Sequence, residues 1–347
     1  MHRRRAEKRK HRDAAIGEIL AASREALRRV ASAFFADGVD GAEPQALDWG
    51  AVPAILRPGS GDHLDGAKNA SRVLRKRQQL EGMLRLLKAW RVVRPGDVVV
   101  DFGAGTGHLG LLVAWACPEA FVICLERKQW TSDAAEKRIA ESGLANCVAL
   151  CGDIGDLEAY LRARGCGGFQ VGLGLHTCGL LTDLVLECCE AHGASFLLCP
   201  CCYGQVVDGG STVGGDGVPR ARPRSAGVGA ALSGEQMALL ARGGDMTVRA
   251  DDEGFPDTPR FKVARACMRV VDLDRLAWCR EHRGAGVRLG MAALDPPACS
   301  PKNNVVIGVR PERRRRAGLS LGLGWGLGIG LGLGIITIAG IVRLRKR

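Results

Sequence analysis

The sequence predicts an α/β fold: a doubly wound, mainly parallel seven-stranded sheet of the Rossmann-like kind, ending in an antiparallel hairpin and preceded by helices. Three observations predict it. From residue 94 onward short apolar runs alternate with helical stretches, a glycine-rich turn follows the first run, and the last two runs lie close enough to pair with each other.

The elements follow in order. Residues 1–13 form a basic tail. Ile16, Ile19, Leu20, Leu27, Val30 and Phe34 then share one helical face within residues 14–36, and Gly38, Gly41 and Pro44 end that helix. A loop rich in Pro, Gly and Asp closes this segment at residue 67. A second amphipathic helix runs from Ser71 to Trp90, with Leu80, Met83, Leu84 and Leu87 on its inner face.

The main domain spans residues 68–311. Its apolar runs are Val98–Val100, Phe121–Leu125, Val148–Leu150, Val171–Leu175 and Ser195–Cys199, with helical patterns near 107–116, 129–142, 156–164 and 179–192 between them. Such alternation means βαβ units, with helices on both faces and the ligand at the carboxyl ends of the strands. Residues 204–266 are rich in Gly, Pro and Arg and read as a flexible insertion with one helical island at Ser233–Arg242. A helix at Leu273–His282 and strands at Val287–Leu294 and Asn304–Val309 complete the domain.

The net charge of +12 belongs to the ends of the chain. Residues 1–12 hold seven Lys/Arg and residues 312–347 hold eight, which leaves 34 basic and 35 acidic residues between them. A uniformly basic nucleic-acid surface is therefore not expected of the core. Fourteen cysteines sit mostly in apolar runs, as small buried side chains of a reduced intracellular protein. The Arg-rich, acid-poor start is also compatible with an organelle-import segment.

The cofactor is read from Val99-Val100-Asp101-Phe102-Gly103-Ala104-Gly105-Thr106-Gly107. Gly103, Gly105 and Gly107 let the backbone turn tightly after the first strand and approach a ligand closely. An acid precedes the first glycine, which suits the ammonium group of S-adenosylmethionine (SAM) better than a pyrophosphate. Glu126 ends the second strand, where a carboxylate can accept both ribose hydroxyls, a position that alone would also suit NAD. Asp153 and Ile154 follow the third strand, where a carboxylate can accept the adenine amino group; Asp153 could equally cap a helix. The register of three acids after three strands favours SAM and the class I SAM-dependent methyltransferase fold over a nicotinamide-dependent oxidoreductase.

The fourth and fifth strands end in Leu175-His176-Thr177-Cys178-Gly179 and Cys199-Pro200-Cys201-Cys202-Tyr203-Gly204. His176, Cys201, Cys202 and Tyr203 are the candidates for the acceptor side. His176 suits a general base, because its unperturbed pKa lies near neutrality; a structural histidine is the other reading. The Cys199/Cys201/Cys202 cluster invites a zinc reading, with Cys178 and His176 as further ligands, but structural zinc sites favour CxxC-like pairs and CxCC is not one, so no metal is expected. No Asn-Pro-Pro-Tyr motif follows the fourth strand, so the acceptor atom is O or N without further distinction.

Together with Arg75–Glu81, Arg222-Pro223-Arg224-Ser225, Asp272-Leu273-Asp274-Arg275 and Ser300–Asn304, these motifs resemble the methyltransferase domain of the glutathione S-transferase C-terminal domain-containing proteins. They resemble more distantly the tRNA 2′-O-methyltransferases and methyltransferase-like proteins with a Cys-Cys-Tyr or Cys-Cys-His turn. The resemblance implies SAM-dependent methyl transfer and favours RNA, tRNA in particular, over protein as the acceptor. A catalytically inactive scaffold or RNA-associated module is the alternative that the same motifs permit. Residues 14–66 are too few for the transferase-like domain, so no glutathione chemistry is expected.

Residues 317–342 carry no charged side chain and are flanked by Arg313–Arg316 and by Arg343, Arg345, Lys346 and Arg347. As a helix they would extend about 39 Å, enough to span a bilayer. Nine of the 26 are glycine, which weakens the helical reading. A C-terminal membrane anchor, with the enzyme domain facing the cytosol, is the expectation.

Overall fold

The computed structural model describes residues 2–32, 34, 47–59, 70–207, 220–246, 255–283 and 286–311. The proposed anchor at 317–342 lies outside them, and no described helix is long and apolar enough to cross a membrane.

The helix predicted from residue 14 begins at the start of the chain: α1 spans His2–Ser32. Residues 2–13 contain neither Gly nor Pro, and their Arg, Lys, Ala and Glu are strong helix formers, so the basic segment continues the helix instead of preceding it as a tail. Ile16 and Leu27 are buried, and Ile19, Leu20 and Val30 pack beside them. Helix α2 (Ala70–Ala89) buries Leu80, Met83, Leu84 and Leu87.

The sheet then forms from β1 (Val98–Phe102), β2 (Phe121–Glu126), β3 (Cys147–Cys151), β4 (Val171–Cys178), β5 (Ser195–Cys201), β6 (Arg288–Ala293) and β7 (Asn304–Val309), in the order β3-β2-β1-β4-β5-β7-β6. The first five strands pair in parallel. Strand β7 enters antiparallel to β5 and pairs with β6 from Arg288↔Val309 to Ala293↔Asn304, the expected hairpin. An all-parallel dinucleotide-binding sheet runs 3-2-1-4-5-6, without that antiparallel insertion.

Period-two alternation divides the strand side chains between two cores. Val98, Val100 and Phe102 face one, with Leu157, Val185 and Met237; Val99 and Leu173 face the other, with Met83 and Leu112. Helices α3 (His108–Ala116) and α4 (Gln129–Ser142) follow β1 and β2. Helices α5 (Ile154–Ala163) and α6 (Leu181–His192) follow β3 and β4.

The segment expected as a flexible insertion is largely built into the domain. Residues 220–246 include α7 (Ala226–Gly229) and α8 (Gly234–Gly244), and α9 runs over Pro259–Arg283, well before the predicted start at Leu273. Their Gly, Pro and Arg content conceals a packed interior in which Met237, Leu240, Phe261 and Cys267 are each no more than 2% exposed. Residues 208–219 and 247–254 of the insertion lie outside the described set.

Candidate functional site

A cavity of about 780 Å³ opens over the carboxyl ends of the strands, lined among others by Gly103, Gly105, Glu126, Asp153, Ile154, His176 and Cys178. The glycine loop shapes one wall. Gly103 and Gly105 adopt φ of 68° and 58°, a left-handed conformation that L side chains avoid. The N–H groups of Gly103 and Ala104 donate to the Leu125 carbonyl at 2.9 and 3.0 Å, which ties the loop to the end of β2. Gly107 sits deeper, where an added Cβ would come within 2.5 Å of Leu111 Cδ1; it spaces the loop from α3 and does not line the cavity.

Glu126 faces this loop. Its Oε2 accepts from Gly105 N–H at 2.9 Å and its Oε1 from Lys128 N–H at 2.9 Å. Both oxygens keep a lone pair, so the carboxylate can still accept two hydroxyls. Asp153 caps α5: its Oδ1 accepts from Gly155 N–H and Asp156 N–H at 2.8 and 3.2 Å, with Asp156 returning the capping-box bond. Capping and ligand contact coexist here, because Asp153 also lines the cavity and no described residue donates to its Oδ2.

Asp101 departs from the sequence reading. It is 2% exposed, its Oδ2 accepts from Gly110 N–H at 2.9 Å, and it does not line the cavity. Burial pushes its pKa up to about 7 despite that hydrogen bond. Its contact in the structure is therefore to the start of α3, and not to the space a ligand ammonium would enter.

On the opposite wall, His176 adopts φ 68° at an irregularity between Leu175 and Thr177. Its Nε2 lies 3.0 Å from Gln79 Oε1, while Gln79 Nε2 donates to the Cys299 carbonyl at 2.8 Å. The ring thus carries its proton on Nε2. Burial, with Lys76 nearby, lowers its pKa to about 4, so the expectation of a base poised near neutrality is corrected.

The cysteine turn divides. Cys199 faces the other core and donates its thiol to the Lys302 carbonyl at 3.4 Å. Cys201 Sγ instead lies 2.9 Å from Cys178 Sγ, and Cys202 takes a left-handed φ of 52°. The neighbouring Cys201 thiol favours the Cys202 thiolate and lowers its pKa below the ordinary thiol value, against the effect of burial. Tyr203 is not at the cavity: it is fully buried, and its hydroxyl donates to Asp272 Oδ2 at 2.7 Å. The left-handed turn at Cys202 sends the chain away from the cavity before the ring begins.

A buried charge cluster beside the site was not legible as such. Asp183 on α6 accepts from Arg222 at 2.6 Å, Arg224 at 2.8 Å and Arg275 at 3.0 Å, and is itself wholly buried. Burial pushes its pKa up, but the three arginines together outweigh it and hold the carboxyl far below the ordinary carboxylate range. Two short motifs, at 222–225 and 272–275, meet here. Arg138, 1% exposed, similarly fastens α4 to the glycine loop, donating to the Ile55 carbonyl at 2.8 Å and the Thr106 carbonyl at 3.3 Å. Nothing in the sequence sets Arg138 apart from the other charged residues of that helix.

The strand order and the glycine loop facing Glu126 define a class I methyltransferase fold of the SAM-dependent kind. Residues 75–208 match the model of a family described as a methyltransferase domain. Over 263 residues the chain is 34% identical to the mouse (Mus musculus) glutathione S-transferase C-terminal domain-containing protein, covering 76% of this chain and 37% of that one. It is 32% identical over 268 residues to the Drosophila melanogaster homolog, covering 76% and 40%. The chain thus carries a methyltransferase domain and spans well under half the length of these relatives. Among solved structures it is similar to the O-methyltransferase TomG from Streptomyces achromogenes in complex with SAM, at 14% identity and a TM-score of 0.37 over 70% of this chain and 90% of that one.

Proposed function

We propose that this chain is a SAM-dependent methyltransferase that places a methyl group on an O or N atom of an RNA acceptor. The observation that carries the reading is Glu126: a carboxylate at the end of β2, held against Gly105 at 2.9 Å, with acceptor capacity directed into the cavity. When bound, SAM supplies an electrophilic methyl group. The chain supplies position: Glu126 suits the ribose hydroxyls, Asp153 and Ile154 suit the adenine, and the left-handed glycines leave room for the methionine portion. His176 and Cys178 border the acceptor side. With Nε2 committed to Gln79, His176 offers Nδ1 as a hydrogen-bond acceptor that orients the attacking group. Holding two reactants in near-attack geometry is the main source of acceleration such a site can provide.

The RNA preference draws support from the mouth of the cavity. Trp130 is 56% exposed there, beside Arg127 and Lys128. An open aromatic face with neighbouring cations is what base stacking and phosphate contact require. Calorimetric titration of the full chain with S-adenosylhomocysteine and NAD tests the cofactor. Binding of the first alone is expected, and Glu126→Ala should weaken it roughly ten- to hundred-fold. Label transfer from SAM into small RNA, and not into protein, is the expected acceptor result. Labelling of protein alone would overturn the RNA assignment.

A further inference from the structure

Three thiols from two neighbouring strand ends converge beside His176. Cys178 ends β4, Cys201 ends β5, and Cys202 begins the turn that follows; their sulfurs all lie within 4.8 Å of one another. Cys178 and Cys201 are register partners, with sulfurs 2.9 Å apart, closer than two unbonded sulfurs pack comfortably. All three are free cysteines.

The backbone is bent to achieve this. Cys202 holds φ 52° and ψ 53°, and among the described residues only Arg91 and His176 are other non-glycine positions with positive φ. Such a conformation persists only when the surroundings hold it. Asp245 does so, accepting from Tyr203 N–H at 3.0 Å and Gly204 N–H at 2.7 Å. Without that turn the side chain following Cys201 would leave the group. A simple dithiol needs two sulfurs and no such arrangement; a third sulfur points to a soft cation.

We propose that Cys178, Cys201 and Cys202 bind one zinc ion through three thiolates, with a fourth position open to water from the cavity that Cys178 lines. Three protein ligands with one exchangeable position is the coordination of zinc that handles a ligand, whereas a structural zinc is closed by four. Binding exchanges three thiol protons for the metal and leaves a net charge of −1 on the group. The ligand set differs from what spacing along the chain suggests, because Cys199, which opens the CxCC run, faces the other core and Cys178 of the neighbouring strand takes its place. Among the described residues the other convergent group, Glu158, Cys188 and His192, is already joined by the 2.5 Å contact of His192 Nε2 with Glu158 Oε1.

The site stands independently of methyl transfer, and its test is spectroscopic. The full chain, purified under reducing conditions, should carry one zinc ion by elemental analysis. Replacing it with cobalt should give thiolate-to-cobalt charge-transfer bands with tetrahedral ligand-field absorption. Cys178→Ser and Cys202→Ser should each lose the bands, whereas Cys199→Ala should keep them. Absence of metal in the unmodified chain, together with no cobalt bands on titration, overturns the proposal, as does recovery of Cys178 and Cys201 as a disulfide in reductant. Binding of S-adenosylhomocysteine by the same preparation separates that failure from failure of the methyltransferase reading.

Discussion

His176 and Gln79 share a hydrogen bond of 3.0 Å that joins β4 to α2 across 97 residues of sequence. Because Gln79 spends its amide nitrogen on the Cys299 carbonyl, its oxygen faces His176, and the imidazole must donate from Nε2. A residue that reads as a neutral-pH base from its type is in this way held as a neutral acceptor.

The imidazole should therefore stay uncharged across the physiological range. Its pKa is lowered from 6.5 to about 4 by burial, so the unfolded chain takes up a proton before the native one does. This contribution to stability is complete above about pH 6.5 and is lost as pH falls toward about 4. Nitrogen-detected NMR should show an Nε2–H tautomer that does not titrate near neutrality. A His176 signal with an ordinary midpoint would refute the assignment, and Gln79→Ala should move the tautomer toward a mixture.

Asp183 should be among the most costly residues to neutralise. Three guanidinium groups converge on it, and both Asp183 and Arg275 are fully buried. Removing one side of a buried ionic group typically costs about 3–5 kcal/mol, because the remaining charges lose compensation that water cannot restore. Asp183→Asn should lower stability in denaturant by that order. A change below about 1 kcal/mol would mean that the cluster is solvated or rearranges freely.

What was legible in the sequence was what the backbone repeats locally. Each parallel strand is a short apolar run, and Gly103, Gly105 and Glu126 lie at fixed offsets from strand ends, so frame and cofactor wall could be read directly. Contacts between distant residues leave no period. Arg222 and Arg224 meet Asp183 from 39 and 41 residues away, and their Gly- and Pro-rich surroundings resemble a loose surface segment. Tyr203 failed for a different reason: the strand carried the reading to Cys201, but the sign of φ at Cys202 decides which way the chain leaves. Residue type does not disclose that sign for a cysteine. Asp153 was legible in both of its readings, since a helix cap and a cavity wall occupy the same place.

Asp101 offers a prediction whose sign runs against the usual behaviour of a native carboxylate. Burial outweighs the bond from Gly110, so the group ionises near 7 in the fold and near 3.8 when exposed. Between those values the native protein retains a proton that the unfolded chain has released. Raising the pH through this window therefore favours unfolding, and the penalty is complete above about pH 7. Asn at this position keeps an oxygen for Gly110 N–H and has no proton to lose. Asp101→Asn should thus gain stability relative to the native protein as pH rises from about 4 to about 7, by an amount on the order of 2–4 kcal/mol. Denaturant unfolding of both proteins across that range, without cofactor, measures the difference directly. A gap that stays flat with pH would show that Asp101 is ionised in the native state and solvated in a way its 2% exposure does not suggest.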